Sequence, residues 1–193
     1  MKRITFDKIV TFVGFGLAVF LLIAAGLLNW GATFASGTVA SQLKAQQITM
    51  PAENGDPKAD AATVAFFKEN GNLIMSTGKQ AQMYADHYIA FHMSGMPPYA
   101  TASSLSRAAA AALATDPTNP ELQAAAAKAS ATVETVFKGE TLRGMLLNAY
   151  AFGTLGGIAA IAAKVTFGGA LIMFLFVFAG IRNIRRTPSN ATI

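Results

Sequence analysis

The feature that most constrains this chain is an uncharged run over residues 9–28, IVTFVGFGLAVFLLIAAGLL. Twenty residues rise about 30 Å as an α-helix, the hydrocarbon thickness of a bilayer. Asn29 and Trp30 follow, and an indole there suits a membrane–water interface. The run is long for the apolar stretch of a cleaved leader, and Thr33-Phe34-Ala35 is a poor cleavage pattern. The expectation is therefore an uncleaved anchor.

A second apolar segment lies near the other end. Over residues 145–181 the only charge is Lys164. A straight helix of that length would measure about 55 Å, more than one span needs. It could be one long helix that crosses with its last part, or a hairpin of two spans turning at Lys164. Charge separates these readings, because Lys and Arg flanks mark the cytoplasmic side. One long helix puts Lys2, Arg3 and Lys8 on the same side as Arg182, Arg185 and Arg186; a hairpin would export the arginines. Two spans are expected in all. Lys164 would then lie at the outer interface and snorkel.

Composition agrees. Only 13% of the residues are charged, about half the share of an ordinary soluble domain. The net charge of +5 sits at the two ends, whereas residues 36–140 carry seven basic and nine acidic side chains. A nucleic-acid-binding face is not indicated. With no cysteine, disulfides, thiolate zinc sites and iron–sulfur clusters are excluded.

These signals predict an all-α chain whose two transmembrane helices flank an extracytoplasmic helical domain. The expected parts are a cytoplasmic N-terminus (1–8), a first span (9–35), the exterior domain (36–140), an apolar stalk helix (141–163), a second span (164–182) and a cytoplasmic tail (183–193). Trp30, Lys164, Arg182, Arg185 and Arg186 are the interface residues.

Within the exterior domain, the first helix continues through Val39 and Leu43 and stops before Ile48-Thr49-Met50-Pro51. A helix over 60–70 carries Val64, Phe66 and Phe67 inward and ends at Gly71. Residues 73–75 are apolar and of undetermined type. Thr77 caps a helix through 80–93 with Met83, Tyr84, His87, Tyr88 and Phe91 on one face. Thr101 or Ser103 opens an alanine-rich helix over 105–113. Asn119 and Pro120 open another that reaches about Phe137, with Gly139 separating it from the last helix.

Chemistry-bearing motifs are sparse. No phosphate loop, nucleophile elbow or HExxH is present, so no enzyme and no cofactor is expected. The one metal candidate is His87 and His92 with Met83, Met93 and Met96, a donor set suited to copper. Two histidines five apart on an α-helix diverge by about 140°, which argues instead for packing roles. Small residues Ala149, Gly153, Gly156, Gly157, Ala160 and Ala163 recur at three- and four-residue spacing, and such spacing lets a second backbone approach. Part of that face would meet the first helix. The remainder, with Leu146, Tyr150, Phe152, Leu155 and Ile158 around it, points to a homo-oligomer or to other membrane-complex subunits as partners, besides the lipid bilayer.

The runs GLLNWGATFASGTVASQLKAQQI, TGKQAQMYADHYIAFHM and FKGETLRGMLLNAYAFGT resemble an uncharacterised actinobacterial family of two-span membrane proteins with a helical extracytoplasmic domain. The resemblance implies a plasma-membrane setting. An aromatic-ring dioxygenase label is attached to some of its members, but no iron-ligand set for that chemistry is evident here. The reading is a non-catalytic integral membrane protein acting as a homo-oligomeric or accessory, scaffold subunit of an envelope complex. A small channel or transporter component is the alternative, disfavoured because Thr11 and Thr166 are the only polar residues within 9–28 and 165–181. An extracytoplasmic His/Met metal-binding protein is the second alternative.

Overall fold

The computed structural model describes residues 1–188, 191 and 192. The expected tail over 183–193 includes 189, 190 and 193, which lie outside the described residues. The described chain is all-helical, with isolated β-bridges in place of strands. Its elements are α1 (Arg3–Ala45), α2 (Ala61–Asn70), α3 (Gly78–Met83), a π-helical segment (Tyr84–Ile89), α4 (Ala90–Met93), α5 (Tyr99–Thr115) and α6 (Pro120–Arg186). Both long helices, of 43 and 67 residues, are apolar and long enough to cross a membrane. The chain divides into two compact units, residues 1–38 with 154–192, and residues 39–153.

The first unit is an antiparallel helix pair. Asp7 lies beside Asn183, Gly14 beside Val177, and Ala35 beside Gly156, which fixes the register. Its buried residues recur every seven positions: Ala18, Ala25 and Ala32 on α1, and Gly156, Ala163, Ala170 and Val177 on α6. Half-buried Gly14, Leu21, Leu28 and Ala35 fall between the first set, and Thr166, Met173 and Gly180 between the second. A 3.5-residue period is the seam of a left-handed coiled coil. Small side chains on both helices let the backbones approach. Phe15 and Phe174 meet edge to face across the pair, centroids 6.2 Å apart.

The second unit has a core of Val39, Leu43, Met50, Phe67, Met75, Ala81, Met83, Ala85, Ile89 and Leu146. Leu146 belongs to α6, so the helix beyond residue 140 packs within this unit. The divisions between the two units fall after 38 and after 153. The run 73–75 proves extended: Met75 donates to Ile48 O at 2.8 Å and Met50 donates to Leu73 O at 2.8 Å. Apolar side chains on both segments explain the pairing, since Met50 and Met75 are fully buried.

Three local expectations need correction. Val64 is half-exposed, and Thr63 takes the inward position beside Phe67 because its hydroxyl donates to Asp60, the N-cap. Gly71 ends α2 as expected, with φ −56°. Glycine is needed there because a Cβ would meet Ala52 Cα at 2.8 Å, and the left-handed residue is Asn72. Gly139 does not break the helix. α6 runs through it, and the missing side chain accommodates Met93 Sδ instead. The α5 cap also lies earlier than expected, at Pro98.

Other caps form as the residues dictate. Thr77 Oγ1 accepts from Gln80 N at 3.1 Å, and Gln80 Oε1 accepts from Thr77 N at 3.1 Å, a reciprocal box. Gln80 is buried, and its Nε2 donates to Asn70 Oδ1 at 3.0 Å, which ties the end of α2 to the start of α3. Asn119 Oδ1 accepts from Glu121 N at 2.9 Å. The alanine-rich hairpin of α5 and early α6 buries little; Ala102 and Val136 are its enclosed residues.

Candidate functional site

Two regions collect the residues singled out above. The first is the helix pair. Along α1 its exposed side chains are apolar over residues 9–28, and along α6 over residues 165–181; Phe12, Phe20, Trp30, Val165, Leu175 and Phe178 are each at least 65% exposed. Apolar side chains this exposed on paired helices mark a surface not meant for water. Lys2, Arg3, Lys8, Arg182, Arg185 and Arg186 gather at one end, as the contact between Asp7 and Asn183 requires. From Lys8 to Trp30 the helix rises about 33 Å, close to the thickness of a hydrocarbon core. Trp30 stacks on Phe34 with centroids 5.8 Å apart. Lys164 lines a groove with Asn29 at the same end as Trp30.

The small-residue series 149–163 does not form one face. Gly156 and Ala163 pack on α1, where a Cβ at Gly156 would lie 3.1 Å from Ala35 Cβ. Ala149 and Gly153 instead lie against Gly78 within the second unit; a Gly78 Cβ would stand 3.1 Å from Ala149 O. Ala160 is half-buried, and Gly157 faces open space. Two different elements therefore use the series. Sequence reasoning missed the seven-residue seam because the outward side chains are as apolar as the inward ones. Its signal is residue size, with alanine at 18, 25 and 32 and again at 163 and 170.

The second region is the histidine-bearing turn. Tyr84, Tyr88 and His92 form a ladder, with centroids 4.9 and then 4.3 Å apart. Its rungs are four residues apart and run from the π-helical segment into α4. His92 Nδ1 lies 2.7 Å from Tyr88 O, and since a carbonyl only accepts, that nitrogen carries the proton. Burial, with Tyr88 alongside, pushes the Tyr84 phenol above its ordinary range. Met83 is in the core, Met93 rests on Gly139, Met96 is exposed and His87 is half-buried. Among the described residues, no three His, Cys, Asp or Glu converge as metal ligands. A π turn is the unexpected element; in such a turn the N–H of residue i+5 takes the place of i+4.

Arg143 of α6 closes over that turn. Its Nε donates to Ala85 O at 3.1 Å, and its guanidinium lies 3.7 Å from Asp86 and 3.2 Å from Glu140. Asp86 is thereby the partner of an arginine and not of His87, its neighbour in sequence.

No family model matches this chain, and neither a curated protein nor a solved structure matches it.

Proposed function

We propose that this protein is a non-catalytic, two-span integral protein of a bacterial plasma membrane, serving as a homo-oligomeric or accessory, scaffold subunit of an envelope complex. The observation that carries this reading is the apolar belt of the helix pair, closed at one end by six cations and at the other by Trp30 and Lys164. Cations at one end favour cytoplasmic termini and an extracytoplasmic placement for the residues between the spans. Phe34, Leu155 and Ile158, each about 60% exposed, lie past Trp30 and Lys164 on the side away from the cation cluster. A 30 Å core filled by residues 9–28 leaves them to a second copy or a partner subunit.

The absence of cysteine makes the test direct. Single-cysteine variants Ser104→Cys and Thr187→Cys are to be treated in intact cells with a membrane-impermeant maleimide. The expected result is labelling at 104 and none at 187 until the cells are permeabilised. Labelling at 187 in intact cells overturns the topology. A monodisperse monomer in mild detergent, with no co-purifying protein, overturns the subunit reading.

A further inference from the structure

We propose that the groove between α1 and α6 at the Trp30 end of the helix pair is a binding site for one anionic phospholipid, with Lys164 holding the headgroup phosphate. The inference rests on the two-span reading above. The groove has a volume of about 380 Å³ and is lined by Ala25, Gly26, Asn29, Ala163, Lys164 and Phe167 among others. That volume falls at the small end of ligand clefts, enough for the glycerol end and upper part of one acyl chain.

Its form follows from residue size. Ala25 and Ala163 belong to the seven-residue seam and are 5% exposed, so they make a closed floor. Gly26 stands next to that floor with no atom within 4 Å of where its Cβ would lie. Exposed Leu22 and Phe167 stand on either side of it, so the small residues form a trough between larger apolar side chains.

Its charge selects the occupant. Lys164 is the only charged residue over 145–181. Among the described residues it has no ion-pair partner; the salt bridges there join Lys138 to Glu134, and Arg143 to Asp86 and Glu140. An ammonium at the edge of hydrocarbon needs an anion or water. The other cations of this unit stand at the opposite end of the pair. A phosphate group entering from the lipid layer meets Lys164, and the Asn29 amide adds a polar group to the same lining.

The test uses the full-length protein in mild detergent with equimolar phosphatidylglycerol and phosphatidylcholine, and native mass spectrometry counts the lipids retained. The wild type is expected to retain one phosphatidylglycerol in preference to phosphatidylcholine. Lys164→Ala should lower that preference about fivefold, the effect of one basic residue at a lipid surface. Lys164→Arg should keep the preference. Gly26→Leu, which fills the trough without a clash, should reduce retention of both lipids. Soluble glycerol phosphate in excess should not compete; competition would assign the site to free phosphate and overturn the proposal. An unchanged preference in Lys164→Ala, or unchanged lipid retention in Gly26→Leu, also overturns it. Carbonate extraction of the same membranes separates the two levels: a wild type released by carbonate defeats the two-span reading, whereas an embedded wild type without lipid preference defeats the lipid site alone.

Discussion

Arg143 reaches back 58 positions to Ala85, donating from Nε to its carbonyl oxygen at 3.1 Å. The Ala85 carbonyl also accepts from the Ala90 N–H, the wide i+5 pairing of the π turn. The guanidinium thus adds a second donor to a carbonyl at the one place where the helix departs from its ordinary spacing. Asp86 and Glu140 flank the same guanidinium, so one planar group joins α6 to Ala85 and Asp86 of the π turn while Glu140 steadies it from its own helix.

Arg143→Ala should therefore destabilise the second unit. The side chain is 25% exposed, which discounts both ion pairs to a few tenths of a kcal/mol each. The hydrogen bond from a charged donor dominates, and the total loss should be about 1–2 kcal/mol. That corresponds to a midpoint lowered by roughly 2–8 °C in a thermal melt followed by circular dichroism. Arg143→Lys should recover less than half, because an ammonium cannot serve the three acceptors in one plane. A melt of Arg143→Ala that overlays the wild type contradicts this account.

The seam of the helix pair makes a sharper contrast. Ala170 is fully buried where α6 meets α1, whereas Gly157 on the same helix faces open space. Ala170→Leu should force the backbones apart, and overpacking of this kind costs about 1–3 kcal/mol. Gly157→Leu should be neutral or slightly stabilising, since it replaces a helical glycine without a clash. Thermal unfolding monitored by size-exclusion chromatography distinguishes them, and equal effects of the two substitutions would refute the seam.

How much of this was readable in the residues beforehand differs between the two units. Hydropathy alone locates residues 9–28 and 165–181 as apolar helices, and Thr77, Asn119 and Pro120 announce the helix starts they make. The pairing face is another matter. Where both lipid and helix partner are apolar, hydrophobic periodicity carries no information, and only the alanine spacing betrays the contact. In the second unit, Gly139 reads locally as a breaker, yet its environment is set by Met93 from another helix. The π turn was not legible either. It is held partly by Arg143, a residue far along the chain, and a window over 84–89 contains no sign of it.

The N-cap of α2 should give stability a recognisable pH dependence. Asp60 accepts from the Thr63 backbone N–H at 2.9 Å and from its hydroxyl at 2.8 Å, and these bonds hold the carboxyl below its ordinary range. A group whose pKa is lower in the folded state stabilises fully above its unfolded value, here 3.8, and loses that contribution as the pH falls through the folded value. Melting points should therefore decline on acidification below about pH 4. Asp60→Asn keeps a good cap but cannot titrate, so its acid decline should be shallower while its neutral-pH stability stays close to that of the wild type. Identical acid profiles for the two proteins would exclude Asp60 as a contributor.

Trp30 is the only tryptophan, so the protein carries its own depth gauge. The indole is 67% exposed and stacks on Phe34 at the end of the helix pair remote from the six cations. In the two-span arrangement it lies at the membrane–water boundary, where amphipathic rings collect. Reconstituted protein should then be quenched more strongly by lipids brominated near the glycerol end of the chain than by lipids brominated near the terminal methyl. Trp30→Phe should abolish the signal, leaving only tyrosine emission. Lys164 lines the groove at the same end, so Lys164→Glu should shift the quenching profile outward as the pair resettles to hydrate the carboxylate. Strongest quenching by mid-bilayer bromines would place residue 30 within the hydrocarbon and move the first span by about a third of its length; no quenching at any depth would remove α1 from the membrane.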